Sequence, residues 1–316
     1  MAKKNIGMAF GREFIGDTPL DHIGVKKAVY IRLLELCERE GWEAYVITRK
    51  TYRGNGIFEG SWKFNGGGFD VVNVPVKIDL VFDRSAGIKF PPIGDTSVAW
   101  VNELSFKTLA RDKWIAYGVL NEYIPQTFLL ENESEISQVL PKIKTDLVVF
   151  KPFNGLKGMG IFIGSKSDAI NFKFGEKYKR YIAQEFVDTS NGILGIASGR
   201  HDLRIVIING EAVWCHVRIP SGESFLANAA QGGNLTEVDY AKVPESVKTV
   251  VEKVSKLFLA KFDNPIYSLD FGIDKDGTPK IFEINDQMGF PKWDMKNRDN
   301  FLFSLIDNFK SKLSNT

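Results

Sequence analysis

The stretch "DLRIVIINGEAVWCHVRI" (residues 202–219) does most to restrict the fold. Asn209-Gly210 stands between two alternating, β-branched runs. Asn-Gly suits a two-residue turn with positive φ at both positions, so the runs must pair as an antiparallel hairpin. Side chains alternate along a strand. Asp202, Arg204, Val206 and Ile208 therefore share one face, and His216 and Arg218 share a face on the return strand. Charges on a strand usually mark its solvated side. Asp202, Arg204 and Arg218 can instead line one surface of a cleft.

A second hairpin surrounds Asp276-Gly277 in "PIYSLDFGIDKDGTPKIFEIN". With Lys275–Thr278 as its loop, Asp274 opposes Pro279 and Asp270 opposes Glu283. Glu283 and Asn285 then face the same way. Two carboxylates and one amide oxygen converge, flanked by Phe271 and Phe282. Buried carboxylates repel one another and are costly to desolvate. A hard cation relieves both problems, and magnesium takes such oxygen ligands together with substrate phosphates. The bland reading is an exposed polar hairpin face.

Residues 151–161, "KPFNGLKGMGI", follow the apolar run "LVVF". Glycine lets backbone approach a ligand, and lysine neutralises phosphate. The order of Gly155, Gly158 and Gly160 matches neither the P-loop nor the dinucleotide fingerprint. Alone, the stretch reads equally as a surface hairpin or a phosphate loop. Together with the carboxylates it becomes one of two jaws, and ATP fits between them.

The remaining pattern is mixed α/β. "NIGMAFG" is a strand, residues 24–40 a helix with Val25, Val29, Leu33, Leu36 and Cys37 on its stripe, and "EAYVITR" a strand. This β-α-β order predicts a small parallel-sheet domain. Residues 53–69 form a loop or hairpin excursion, where Gly66–Gly68 is a phosphate nest or a plain turn. "VKIDLVFDRS" is the next strand, helices are expected over 105–121 and 133–143, and "IPQTFLL" enters another strand. "DLVVFKP", "GIFIG" and "RYIAQEFV" are strands, and helices cover 244–261 and 299–313. Pro141 to Asp146 and residues 188–199 are hinges or loops.

A net charge of +2 over 316 residues gives no argument for nucleic acid or an anionic membrane. Cys37 and Cys215 have no C-x-x-C spacing and read as buried free thiols of a reducing cytoplasm. Neither a secretory h-region nor an apolar run of about 18 residues is present, so no membrane partner is expected. His22, His201 and His216 lack metal-ligand spacing, which leaves a zinc enzyme or a histidine-centred triad without support.

These motifs, in this order over residues 100–290, resemble the ATP-grasp carboxylate-amine ligases of the glutathione-synthetase-like type, close to the ribosomal-protein glutamate ligases. "ARDKW" resembles the segment whose lysine, here Lys113, reaches the ATP phosphates. "VVFKPFNGLKGMGI" resembles the strand carrying the second ATP lysine, here Lys151, and the glycine flap, with Gly158, that covers the phosphates. Lys157 on that flap is a phosphate contact or a solvated charge. "QEFV" resembles the hinge where Gln184, Glu185, Phe186 and Val187 read adenine through backbone groups. "HDLRIVIINGEAV" resembles the Asp-x-Arg hairpin, implying Asp202 for the ribose, Arg204 for the transferring phosphoryl group and Arg218 for an acyl phosphate. "FLANAAQGGN" implies Asn228 for nucleotide or metal and Gly232-Gly233 near the substrate. Asp270, Glu283 and Asn285 match the magnesium ligands, with manganese as the alternative ion. Leu226-Ala227 replaces the family's frequent Arg-Ser, and Met288 stands where proline is common. Arg84 is a candidate contact for a substrate carboxylate, or a surface arginine.

The resemblance implies an ATP-grasp fold in three parts: an N-terminal β-α-β domain (1–110), a small subdomain with the glycine loop (111–187) and a C-terminal subdomain with the magnesium site (188–316). It implies an ATP-dependent ligase that makes an amide through an acyl phosphate and releases ADP and phosphate. The substrate would be an amino acid, a small peptide or a peptide tail, and a homo-oligomer is compatible. The alternatives are a peptide-modifying macrocyclase of the same fold and a non-catalytic ATP-binding regulator. Retention of three metal ligands and two arginines argues against the last.

Overall fold

A computed structural model describes residues 3–11, 17–85, 90, 92–93, 95–155, 158–222, 224–225 and 234–314. Strands β1 (Asn5–Phe10), β2 (Glu43–Thr48), β3 (Tyr52–Gly54), β4 (Ile57–Phe64), β5 (Phe69–Lys77), β6 (Leu80–Asp83) and β7 (Ala99–Val101) form a first sheet. Within it β2, β1, β6 and β7 lie side by side and parallel. Helix α1 (Lys27–Arg39) links β1 to β2, as the opening β-α-β pattern predicts. Val29, Leu33, Leu36 and Cys37 are buried on it, but Val25 precedes the helix in a 3-10 turn and is 82% exposed.

The excursion is the β4–β5 hairpin, paired to β2 through β4. Its turn settles the two readings of Gly66–Gly68. The amides of Gly67 and Gly68 reach the Asn65 side-chain oxygen at 3.4 and 2.8 Å, so they are spent inside the turn. The expected single strand over "VKIDLVFDRS" is two, β5 and β6, because the chain turns at Ile78-Asp79.

The expected helix 105–121 is also two, α2 (Leu104–Arg111) and α3 (Lys113–Leu120). Asp112 breaks it: its carboxylate accepts from the Trp114 and Ile115 amides at 2.9 and 3.0 Å and caps α3. A second sheet contains β8 (Thr127–Leu130), β9 (Leu147–Pro152), β10 (Phe162–Ser165) and β11 (Tyr181–Glu185), ordered β10-β9-β11-β8 and antiparallel. The helix expected over 133–143 resolves into one α-turn, α4 (Ile136–Val139), between two 3-10 turns. Another short helix, α5 (Lys166–Ala169), follows β10.

The third sheet holds both predicted hairpins: β12 (Asp202–Ile208) with β13 (Glu211–Ile219), and β15 (Tyr267–Ile273) with β16 (Pro279–Asn285). β14 (Asn234–Val238) pairs with β13, and the order is β14-β13-β12-β15-β16. Helices α6 (Glu245–Lys261) and α7 (Arg298–Ser314) complete the fold. One face of the sheet, with Leu203, Ile205 and Ile207, packs on α2, α3 and α6. The opposite face carries Val206, Ile208 and Trp214 into a core shared with α7, α1 and the first sheet. The rest of that face, beyond α7, carries the charged side chains.

The Asn209-Gly210 turn is built as expected, with φ of 55° and 78°. Asn209 also ties the hairpin to the C-terminal helices. Its side-chain oxygen accepts from Asn264 at 2.8 Å and Asn308 at 3.0 Å, and its amide nitrogen donates to the Ser304 carbonyl at 3.3 Å. Asn209→Ala removes three hydrogen bonds and puts a Cβ-bearing residue without a polar side chain at positive φ. Equilibrium unfolding in urea should show a loss of about 2 to 4 kcal/mol.

Candidate active site

The third sheet's pairing produces a row of ionisable residues across all five strands. Glu283 opposes Asp270, Asp270 opposes Arg204, Arg204 opposes His216, and His216 opposes Glu237. Cross-strand partners share a face, so the row is one surface. The expected Asp270–Glu283 pair is present, but by a different route. Ile273, not Asp274, opposes Pro279, and a bulge between Asp270 and Phe271 absorbs the one-residue difference.

Asp270 is the centre of this surface. Arg204 holds it with two bonds of 2.6 Å, from Nε to Oδ1 and from NH2 to Oδ2. Arg218 adds a bond of 2.7 Å to Oδ2 and also donates to Asp202, its cross-strand neighbour. The Asn285 amide nitrogen lies 3.3 Å from the same Oδ2. Burial alone would raise the Asp270 pKa, but the two guanidinium groups outweigh it and hold the carboxyl well below its usual range. Asp202 shows the opposite balance. Burial, then the charge of Asp270, pushes it up to about 6 despite Arg218. Its Oδ1 is buried without a hydrogen-bond partner among the described residues.

Lys113 and Lys151 reach this surface from two other elements. The Lys113 amide bonds the Phe153 carbonyl at 3.1 Å, which docks the start of α3 against the end of β9. Its Nζ then contacts the Gly155 carbonyl at 3.0 Å and Glu283 at 3.2 Å. Lys151 projects from β9 on the same side as Val149, and its Nζ donates to the Gln184 side-chain oxygen at 2.8 Å. Burial first, then the positive charge of Lys113, brings Lys151 down to about 8. Gln184 is itself held by a bond of 2.8 Å to Thr127, a residue that sequence reasoning missed.

Lys113, Lys151, Gln184, Asp202, Asp270 and Glu283 line a cleft of roughly 1000 Å3 between the second and third sheets, open to solvent. Its lining is apolar at Val149, Ile161, Ile163, Phe186, Val187 and Phe225, and charged at Lys113, Lys151, Asp202, Asp270 and Glu283. Gly158 also lines it, with φ of 73°. At Gly160, φ is 75° and a Cβ would lie 2.9 Å from the Pro152 ring, so that position accepts only glycine. Glu185 and Phe186 are fixed by their backbones: their amides bond the Gln126 carbonyl and the Thr145 hydroxyl, each at 3.0 Å. The Phe186 N–H is therefore engaged within the protein. The apolar lining was legible from alternation, since Val149 and Lys151 are two apart, but Phe225 carried no signal.

Arg84 lies away from this cleft, just past β6. Its Nε donates to the Tyr30 hydroxyl at 3.3 Å and NH2 to the Met288 carbonyl at 2.9 Å, while Phe82 and Phe290 flank the guanidinium. His201 is structural: its Nε2 accepts the Ile273 amide at 3.2 Å and Nδ1 bonds the Gly199 carbonyl at 3.0 Å. Cys37 and Cys215 are buried and free, as expected, and burial pushes both thiols up to about 12. Lys157, Asn228, Gly232 and Gly233 lie outside the described residues.

Comparison with known proteins agrees with this geometry. Residues 113–260 match the ATP-grasp domain of prokaryotic glutathione synthetase. A glutathione synthetase of Synechococcus elongatus is 26% identical over 122 residues, 36% of this chain and 34% of that protein. The match thus spans about a third of the curated relative's length. Over nearly the whole of both chains the fold is that of D-alanyl-alanine synthetase A from Vibrio cholerae, with a TM-score of 0.66, 15% identity and 99% of each chain covered. The ATP-grasp ligase PsnB, solved with a minimal precursor, aligns with a TM-score of 0.58 and 12% identity over 98% of this chain and 100% of that one. The chain has the ATP-grasp fold, and its residues 113–260 are similar to the ATP-grasp domain of prokaryotic glutathione synthetase.

Proposed function

We propose that the protein is an ATP-dependent carboxylate-amine ligase, which makes an amide or peptide bond through an acyl phosphate and releases ADP and phosphate. The observation that carries this reading is the convergence of Lys113, Lys151, Arg204 and Arg218 on the Glu283–Asp270 pair along one cleft. Phosphoryl transfer needs positioning and cations that spread charge, not a protein nucleophile. Lys113 and Lys151 neutralise the nucleotide phosphates. Arg204 and Arg218 stand where charge accumulates on the transferred group. The apolar lining at Phe186, Val187 and Phe225 takes the base and excludes water from it. Asp202 takes the ribose. The substrate is an amino acid or a peptide.

Asp270, Glu283 and Asn285 fit magnesium as a donor set: two carboxylates and an amide oxygen on one face of β15 and β16. Asp270 already receives Arg204, Arg218 and Asn285, so a cation there competes with the guanidinium groups for the same oxygens. When bound there, a divalent cation held by Asp270, Glu283 and Asn285 would offset the charge of the substrate phosphates. In this reading the three sheets correspond to the division 1–110, 111–187 and 188–316. Two buried free thiols suit a cytoplasmic protein. Among the described residues no helix is long and apolar enough to cross a membrane.

Lys151 provides the test. With its pKa lowered to about 8, it is partly neutral near pH 8.5 in the free protein. Phosphates beside it favour the charged form. Binding of ADP near pH 8.5 should therefore take up protons, seen by calorimetry in two buffers of different ionisation enthalpy. Lys151→Met should abolish that uptake and weaken ADP by about 10- to 100-fold. Undiminished ADP affinity in the variant excludes Lys151 from the phosphate site.

A further inference from the structure

Inside the cleft, Lys113 and Glu283 join the start of α3 to β16. Behind it, a second ion pair joins the α2–α3 junction to the end of the same strand. Arg111 closes α2, and Asp286 follows the last residue of β16. Arg111 Nε lies 3.1 Å from Oδ1 and 3.3 Å from Oδ2 of Asp286, and its NH2 lies 3.2 Å from Oδ2. Their side chains are 11% and 5% exposed, and neither residue lines the cleft. Arg111 stands two residues before Lys113, and Asp286 one residue after Asn285. Each partner thus sits beside a member of the phosphate and cation sets proposed above.

Both ends of this tie are themselves anchored. On the α2 side, Lys107 is fully buried in an ion pair with Asp83 of β6 and donates to the Phe90 carbonyl at 2.9 Å. Leu109 and Ala110 share a core with Ile281 and Ile284 of β16. On the other side, Asn102, buried just past β7, spans the open end of the β15–β16 hairpin. Its Nδ2 donates to the Ile266 carbonyl at 2.6 Å and the Asp286 carbonyl at 3.3 Å, and its Oδ1 accepts the Ile266 amide at 2.8 Å. Beyond the far end of α3, the Ile281 amide bonds the Tyr123 carbonyl at 2.8 Å. The Arg111–Asp286 pair does the corresponding job at the near end, where Lys113 stands.

The two ion pairs respond differently to a nucleotide. Lys113 cannot serve a phosphate and keep Glu283 at full strength, because the two anions compete for one ammonium. The Lys113–Glu283 contact, with Glu283 31% exposed, is the one that gives way. The Arg111–Asp286 pair meets no ligand. A buried pair of this kind is costly to break, and the planar guanidinium fork fixes direction as well as distance. We propose that Arg111 and Asp286 are positioning residues, whose pair keeps Lys113 in register with Glu283 and Asn285 once Lys113 has exchanged Glu283 for phosphate. The proposal rests on the ligase reading for the roles of Lys113 and Glu283. Neither Arg111 nor Asp286 touches the nucleotide; both act through Lys113.

The test is a double-mutant cycle on ADP affinity in the presence of magnesium, measured by calorimetry on the whole protein well below its unfolding temperature. Asp286→Asn should weaken ADP by about tenfold. In a Lys113→Met background the same substitution should change ADP affinity by less than about twofold, because the residue it acts through is gone. Arg111→Lys keeps the charge and loses the fork, and it should repeat both results even where Asp286→Asn does not fold. Variants that bind ADP like the parent overturn the proposal. So does an equal loss in both backgrounds, which a merely structural role would give. If Lys113→Met alone binds ADP as tightly as the parent, Lys113 leaves the phosphate site, and the proposal falls with that part of the ligase reading.

Discussion

Arg218→Met is expected to lose both turnover and stability. Arg218 is buried, at 6% exposure, between Asp202 and Asp270. Asp270 keeps its two bonds from Arg204, but Asp202 loses its one hydrogen-bonding cation. A buried carboxylate left unpaired costs about 3 to 5 kcal/mol. The cost depends on pH with a definite sign. Burial and Asp270 already hold Asp202 at about 6 with the arginine present, and its removal raises that value further. A group whose folded pKa is raised binds more protons in the folded state. Stability of the variant should therefore fall as pH rises from about 4 through neutrality, more steeply than in the parent. Urea unfolding at pH 5 and pH 8 measures the difference. Turnover, read as ADP release, should fall by about 100- to 1000-fold, the usual effect of removing one preorganised donor at a site of developing charge. ADP affinity should change far less. A variant that loses nucleotide binding and turnover equally would remove Arg218 from the acyl-phosphate role.

How much of this was legible in the sequence depends on the distance over which the causes act. Asn209-Gly210 and Asp276-Gly277 announce their hairpins because turn chemistry is local. Alternation then places Asp202 with Arg204, and His216 with Arg218, but a bulge between Val206 and Ile207 is what brings the two pairs onto one face. The break between α2 and α3 was also present, in an aspartate that caps the following helix. The bulge beside Asp270 was not, because an extra residue in one strand has no compositional mark. It left the Asp270–Glu283 pair correct only because it cancelled a one-residue error in the loop. Partners far apart in the chain were invisible for the same reason. Lys107 and Asp83 form a fully buried ion pair, and Gln287 bonds the Ser85 carbonyl at 2.7 Å. Together with Arg84 and Met288 these tie the first sheet to the segment that follows β16. No periodicity encodes such a contact.

Glu283→Ala is expected to separate chemistry from folding, where Arg218→Met combines them. Glu283 sits at the rim of the row, its side chain 31% exposed, and its ion pair is with Lys113. An ion pair so placed is worth about 0 to 1 kcal/mol, so the unfolding midpoint should hardly move. Its backbone place in β16 is unchanged by the substitution, and Phe282 and Ile284 keep their packing. Activity should respond differently. Two carboxylates are the usual protein contribution to a magnesium site of this kind, and loss of one removes the charge that holds the cation against the phosphates. Magnesium-dependent ADP release should drop by at least about 1000-fold. A second readout needs no turnover. In the parent, magnesium should tighten ADP binding; in the variant it should not. Metal-free ADP should bind at least as well as before, because Lys113 no longer has Glu283 as a competing anion. If turnover persists, or if magnesium still tightens ADP in the variant, the metal is held elsewhere and the Asp270–Glu283 pair serves only to position Lys113, Arg204 and Arg218.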